Sequence, residues 1–316
     1  MIVTLTANPS IDRTIDLPQP LRRGRVQRAR GVTSHPGGKG INVARVVTAA
    51  GVAATAVLPA NGDDPLLRAL SQTGIDYRAV PCGGSARVNL TLTESDGTTT
   101  KINEPGEPLT VAERWRLADT LIELARDARW VVLSGSLPLA VPDDWYVELL
   151  HHLRGIRVAV DTSDAPLRAV AGRLESAPPQ LLKPNADELA QLTGLDPAQL
   201  HDPVTAAKAA AAVVSRGVDA VLATLGADGA VLVTADGAWH ATPPAITPRS
   251  TVGAGDAALA GYVLADLDGA APADRLRLAV AYGSAAVALP GTELPGLHHT
   301  DPAAVSVTAL DVLPRH

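Results

Sequence analysis

Short apolar runs at residues 2–6, 54–58, 130–133, 157–161, 181–182 and 220–224 punctuate a chain whose intervening stretches repeat apolar positions every three or four residues. Runs this short, closed by turn formers, read as strands buried within a sheet, and the longer periodic stretches read as helices. The pattern predicts helices at 41–50, 65–73, 111–128, 143–153, 188–192, 204–215, 257–267 and 273–288, a strand at 76–80, and a hairpin from 229–234 and 237–241. From residue 111 onward strand and helix alternate. That rhythm predicts an α/β fold with a mostly parallel central sheet and helices on both faces.

A second pattern occupies residues 13–17, 26–32, 86–93 and 98–102, where polar and apolar side chains alternate and Thr, Val and Asn are frequent. These read as exposed strands apart from the core, and Asp96-Gly97 supplies a hairpin turn between the last two. They predict a small β-sheet lid, drawn from roughly 12–34 and 86–103, on a single domain spanning 1–316. No linker, repeat or low-complexity tract divides the chain. A small sheet with one apolar face is poorly stable uncovered, so the lid is expected to pack on something.

Composition narrows the class of ligand. The formal net charge is −6, which argues against nucleic acid or an anionic membrane as the main partner. Residues 1–60 reverse that balance, with Arg13, Arg22, Arg23, Arg25, Arg28, Arg30, Lys39 and Arg45 against Asp12 and Asp16, a local excess suited to a small anion. Cys82 is the only cysteine, so no intrachain disulfide can form and a reducing cytoplasm is expected. The longest uncharged stretch, 46–62, contains Gly51 and Pro59 and reads as helix end, turn and strand rather than a membrane span.

Two glycine turns carry the candidate chemistry. Gly253-Ala254-Gly255-Asp256 opens a helix, where small residues let amides converge on an anion and the dipole adds to the field. The dipole is also expected to hold Asp256 ionised, leaving it free to take a proton from an attacking hydroxyl. The same stretch satisfies the dinucleotide pattern as Gly253-x-Gly255-x-x-Ala258, although no apolar strand leads into it. Gly37-Gly38-Lys39-Gly40-Ile41-Asn42 places a flexible ammonium at a second helix start, a seat for phosphate; it lacks the Ser or Thr of a P-loop. Arg87 and Asn89 share one face of an exposed strand. Asn185 and Glu188 fit a helix cap with a capping box on spacing alone, or outer partners of a hydrated Mg²⁺. Thr224 to Gly229 is a polar turn after a strand, and Asp12 is expected on the loop beyond the first strand.

In this order the motifs resemble the phosphofructokinase B-type carbohydrate kinases of the ribokinase-like superfamily. The resemblance rests on Asn8-Pro9-Ser10-Ile11-Asp12, residues 36–42, Arg87-Val88-Asn89, Ile102-Asn103-Glu104-Pro105-Gly106, residues 134–138, 183–188, 224–229 and 250–256, and its form is similar to the hexose-phosphate branch of that family. It implies ATP and Mg²⁺ as cofactors and a ketohexose monophosphate as substrate: fructose 1-phosphate first, then tagatose 6-phosphate or fructose 6-phosphate. Asp256 would be the base and Gly253, Ala254 and Gly255 the anion hole. Asp12, Gly38, Lys39, Asn42, Arg87 and Ser136 would face the sugar phosphate. Lys183, Asn185 and Glu188 would lie near the triphosphate and metal, Thr224, Gly226 and Gly229 along the nucleotide path, and Ser284 at the adenine pocket. A homodimer paired through its lids is the family's frequent assembly. A sugar-phosphate sensor without catalysis is the rival, disfavoured because binding alone does not need Asp256.

Overall fold

The computed structural model describes residues 1–312 of the chain. Its strands are β1 (Ile2–Thr6), β2 (Ser10–Asp16), β3 (Gly31–Gly37), β4 (Ala54–Pro59), β5 (Asp76–Val80), β6 (Arg87–Thr93), β7 (Thr99–Asn103), β8 (Trp130–Ser134), β9 (Val158–Asp161), β10 (Leu181–Leu182), β11 (Ala220–Thr224), β12 (Ala230–Thr234), β13 (Gly237–Thr242) and β14 (Ser306–Leu310). The helices are α1 (Lys39–Ala49), α2 (Pro65–Leu70), α3 (Val111–Ala125), α4 (Trp145–His152), α5 (Asp164–Ala171), α6 (Ala186–Thr193), α7 (Pro203–Val214), α8 (Ala254–Leu267) and α9 (Pro272–Ala288).

The large sheet runs β14-β13-β12-β11-β10-β9-β8-β1-β4-β5, parallel from β5 to β11 and antiparallel over β12 to β14. Every residue of β1 is buried, as a strand covered on both faces requires. Alternation sends Val3 and Leu5 into one core with Leu117, Leu121 and Tyr146, and Ile2 into the other with Ile41, Leu259 and Val263. The chain departs from β1 in both directions, to β4 on one side and β8 on the other. Such a reversal of strand order opens a crevice at the carboxyl ends of the strands, where ligands bind in open α/β sheets.

The second sheet runs β3-β2-β6-β7. Its hairpin follows the sequence closely, but its first two strands are displaced. Residues 17–30 connect β2 to β3, and Val26, expected in a strand, is 94% exposed in that connection. Register places Ser10 opposite Arg87, and Asp12 opposite both Asn89 and His35, on one polar face. The pleat then puts Ile11, Ile15, Val32, Val88, Leu90, Leu92 and Ile102 on the other. Val32 and Ile102 are more than half exposed there. Asp12 lies within β2, not on a loop past β1, because pairing with β3 and β6 begins at Ser10. Strand β14 and helix α5 had no counterpart in the sequence reading.

Candidate active site

Because β1, β8, β9 and β10 run parallel, the residues that end them share one edge. Strand β9 ends that apolar row with Asp161, whose carboxylate is 1% exposed. Lys39 Nζ, at the head of α1, donates to Asp161 Oδ1 at 2.8 Å, and Lys183 Nζ, one residue past β10, lies 3.2 Å from Oδ2. One carboxylate thus ties two ammonium groups. Burial opposes its ionisation, yet Lys183 and Lys39 hold it below the usual carboxylate range. Burial likewise works against the Lys39 charge, and Asp161 and Asp256 outweigh it, so its pKa rises.

Helix α8 opens at Ala254, three residues before the sequence expectation, because Gly253 takes the left-handed conformation at φ 76° and turns the chain into the helix. The amides of that first turn have no intrahelical acceptor. Asp256 sits among them, 6% exposed, and its Oδ2 accepts a hydrogen bond from Asn42 Nδ2 at 2.8 Å. Its pKa is pushed up to about 6, first by burial and then by the charge of Asp161, against Lys39, the Asn42 bond and Lys183. The helix dipole was expected to hold it ionised; burial and the second carboxylate override that. A Cβ at Gly255 would stand 3.2 Å from Lys183 Nζ, so the ammonium lies against the glycine turn.

The other glycine turn is seated on β1. Ile41 N donates to Thr6 Oγ1 at 2.9 Å, and Gly38, at φ 120°, presses so close that a Cβ would meet the Thr6 methyl group at 2.5 Å. On the small sheet, Asp12 Oδ1 accepts from Ser10 Oγ at 2.8 Å and from Asn89 Nδ2 at 3.0 Å. Arg87 Nη1 donates to the Glu104 carbonyl at 2.9 Å, while its buried Nε has no hydrogen-bond partner. Burial lowers the Arg87 pKa, with Asp12 and Glu104 opposing. Ser136, just past β8, accepts a long 3.4 Å bond from Asn8 Nδ2.

At the start of α6, Asn185 and Glu188 form a capping box, each side chain accepting from the other's backbone N–H at 2.8 Å. Burial raises the Glu188 pKa, and the charge of Asp161 adds to it. Thr224 N donates to the Pro184 carbonyl at 3.0 Å, which sets the turn from Gly226 to Gly229 beside Asn185. Ser284 is buried on α9, next to Gly283, which packs on the Ala254 carbonyl. The structure therefore gathers Lys39, Asn42, Lys183 and Asp256 around Asp161. Among the described residues no hydrogen bond ties Asp12, Arg87, Ser136, Gly226, Gly229 or Ser284 to that cluster. Asp161 is the residue sequence reasoning missed; its only signal was a lone acid closing an apolar strand at the ligand edge.

Amides and ammonium groups so placed can hold the oxygens of a phosphoryl group in transfer, while a carboxylate titrating near neutrality accepts a hydroxyl proton. At the switch point of a helix-covered parallel sheet, that chemistry defines a kinase of small hydroxylated substrates. The model of the pfkB family carbohydrate kinases matches residues 5–299, and the chain belongs to that family. It is accordingly an ATP-using carbohydrate kinase. The dinucleotide alternative at Gly253 falls with this, and no strand leads into the turn at 243–253. The 1-phosphofructokinase of Xanthomonas campestris is 40% identical over 286 residues, 89% of each chain. That of Escherichia coli K12 is 33% identical over 90% of each. A crystal structure of E. coli phosphofructokinase-2 in complex with substrates and products superposes with a TM-score of 0.86, at 32% identity, covering 94% of this chain and 96% of that one.

Proposed function

We propose that the protein transfers the γ-phosphoryl group of ATP to the free primary hydroxyl of fructose 1-phosphate, giving fructose 1,6-bisphosphate and ADP. The observation that carries this reading is Asp256: a buried carboxylate with a single neutral donor and a pKa near 6, beside two lysines and a glycine turn. The hydroxyl oxygen attacks the γ-phosphorus, its proton passes to Asp256, and the bond from phosphorus to the bridging oxygen of ADP breaks. The amides of Gly253, Ala254 and Gly255, with Lys183 against them, receive the charge on the phosphoryl oxygens. Asp12, Gly38, Lys39, Asn42, Arg87 and Ser136 face the sugar phosphate. Lys183, Asn185, Glu188, Thr224, Gly226 and Gly229 line the triphosphate, with Ser284 toward the adenine.

Mg²⁺ is the expected companion of ATP. Among the described residues no three His, Cys, Asp or Glu side chains are grouped to hold a metal directly. The donors present, the Glu188 carboxylate and the Asn185 amide, suit a hydrated hard cation held largely through its waters. When bound, it neutralises charge on the triphosphate.

The small sheet acts as a lid on a single kinase domain, and the apolar face bearing Val32 and Ile102 is covered by the lid of a second copy, giving a homodimer. No helix among the described residues is long and apolar enough to cross a membrane. With Cys82 a free thiol, the chain fits a reducing cytoplasm. An ADP-release assay with fructose 1-phosphate, fructose 6-phosphate, tagatose 6-phosphate and fructose at equal concentration tests the substrate by kcat/KM. Fructose 1-phosphate is expected to lead, as the names of the curated relatives indicate for those proteins. If unphosphorylated fructose led, the phosphate seat would be wrong.

A further inference from the structure

Beside the catalytic cleft lies an open cavity of about 430 Å³, lined by Ser34, His35 and Pro36 of β3, Arg45 and Ala49 of α1, Ala69 of α2 with Gln72 and Thr73 just past it, and Leu294-Pro295. Its size is that of a small-ligand pocket. No carboxylate lines it, although the chain as a whole is acidic. The Arg45 side chain is half-buried and makes no hydrogen bond or ion pair among the described residues. Burial disfavours its charge, and the acid that offsets this is Asp12, whose Oδ1 already accepts from Ser10 and Asn89. The Arg45 nitrogens stay in reach of solvent, so the guanidinium can exchange water for an anion entering the open cavity. We propose that this cavity is a separate anion site that takes the phosphate of a small phosphorylated metabolite on Arg45 and His35, with the carbon skeleton against Pro36, Ala49, Leu294 and Pro295.

The occupant is an effector rather than a substrate, since neither Asp256 nor a glycine amide turn lines the cavity. Its walls belong to both halves of the catalytic cleft: His35 is the cross-strand partner of Asp12, and Leu294 lies against Gly253. A ligand there touches the small sheet and the head of α8 together.

Inorganic phosphate is the probe, titrated at constant pH and ionic strength into the full chain carrying ¹³C-labelled histidine, with the His35 resonance identified from His35→Gln. The expected result is a saturable His35 shift that weakens about tenfold or more in Arg45→Gln, the share of a hydrogen bond to a charged group. Ala49→Glu puts a carboxylate into the cavity from an exposed helical position and should weaken it likewise, so the test survives if Arg45→Gln fails to fold. Arg87→Met should leave the shift in place. No saturable shift, an undiminished one in Arg45→Gln or Ala49→Glu, or its loss in Arg87→Met would overturn the proposal, the last by returning the phosphate to the sugar site. None of these readings requires the enzyme to use fructose 1-phosphate.

Discussion

Helix α8 carries a buried aspartate at each end, and the two are treated in opposite ways. Asp266, in its last turn, accepts from Arg157 Nη2 on Oδ1 and from Trp130 Nε1 on Oδ2, both at 2.8 Å, and pairs with Arg275, whose Nη1 lies 2.8 Å from Oδ1, while Arg157 stacks 4.5 Å over the Trp130 ring. Asp256, in its first turn, has one amide donor and a second carboxylate for a neighbour. The helix dipole would favour the reverse, a stabilised acid at the start and a strained one at the end. Side-chain partners decide instead. The amino-terminal edge of the sheet uses its acid to tie Trp130, Arg157 and α9 together, and the carboxyl-terminal edge keeps its acid able to take a proton.

The largest effect should come from removing the proposed proton acceptor. Asp256→Asn is expected to lower kcat by ~10²–10⁴-fold, the usual share of general-base catalysis, while both Michaelis constants stay nearly unchanged. Unimpaired turnover would leave the two aspartates without a functional contrast.

The matching change at the other end should act on folding alone. Asp266→Ala strands the indole N–H and leaves two partly exposed guanidinium groups without their acid, at a cost of about 1–3 kcal/mol. Urea titration should show that loss, with kcat per folded molecule unchanged. A fall in kcat at undiminished stability would mean the two ends are coupled through the helix.

These two sites were unequally legible in the sequence. Asp256 could be picked out because its chemistry is local: two glycines, an acid and a helix start occupy consecutive positions. The Asp266 cluster was invisible, since two of its three partners, Trp130 and Arg157, are more than a hundred residues away, and nothing in an Arg or a Trp announces a pairing at that range. Asp161 was missed for the same reason. The parallel core was readable from its aliphatic runs, whereas β2 and β3 were displaced because an exposed strand of mixed polarity gives no sharp boundary. Asn185 and Glu188 form the capping box that spacing alone favoured, and Arg87 faces the polar side of its sheet as alternation required.

The contrast sharpens further at the two cations assigned to phosphate. Lys39 is tied to Asp161, and Arg87 to the Glu104 carbonyl just past β7. Arg87→Met should raise the Michaelis constant for the sugar phosphate by about 10–100-fold, the worth of a charged hydrogen bond, and leave kcat and the constant for ATP alone. Lys39→Met should raise the same constant and also lower kcat, because it leaves Asp161 with one cation instead of two beside the base. Equal losses toward ATP and sugar in Arg87→Met would place that residue at the triphosphate.

The smallest effect is a shift in pH dependence, and it tests why Asp256 differs from Asp266. Asp256 works deprotonated, so kcat/KM should fall as pH drops through about 6, where its carboxylate takes up a proton. Asp161 is the second cause of that elevation after burial. Removing its charge in Asp161→Asn leaves burial in place but withdraws a like charge and frees two lysines, so the acidic limb should move down by roughly half to one unit. A limb that stayed or rose would show that the charge of Asp161 is not felt at Asp256. Stability should report the same linkage with its own sign. A carboxylate whose folded pKa lies above its ordinary 3.8 favours the folded state most when protonated, below that value, and the contribution is lost as pH rises through about 6. Asp256→Asn, a neutral isostere, should therefore raise the melting temperature relative to the parent at pH 8, and the gap should close as pH falls through 6 toward 4. A gap that did not change with pH would assign the gain to packing rather than to the buried charge.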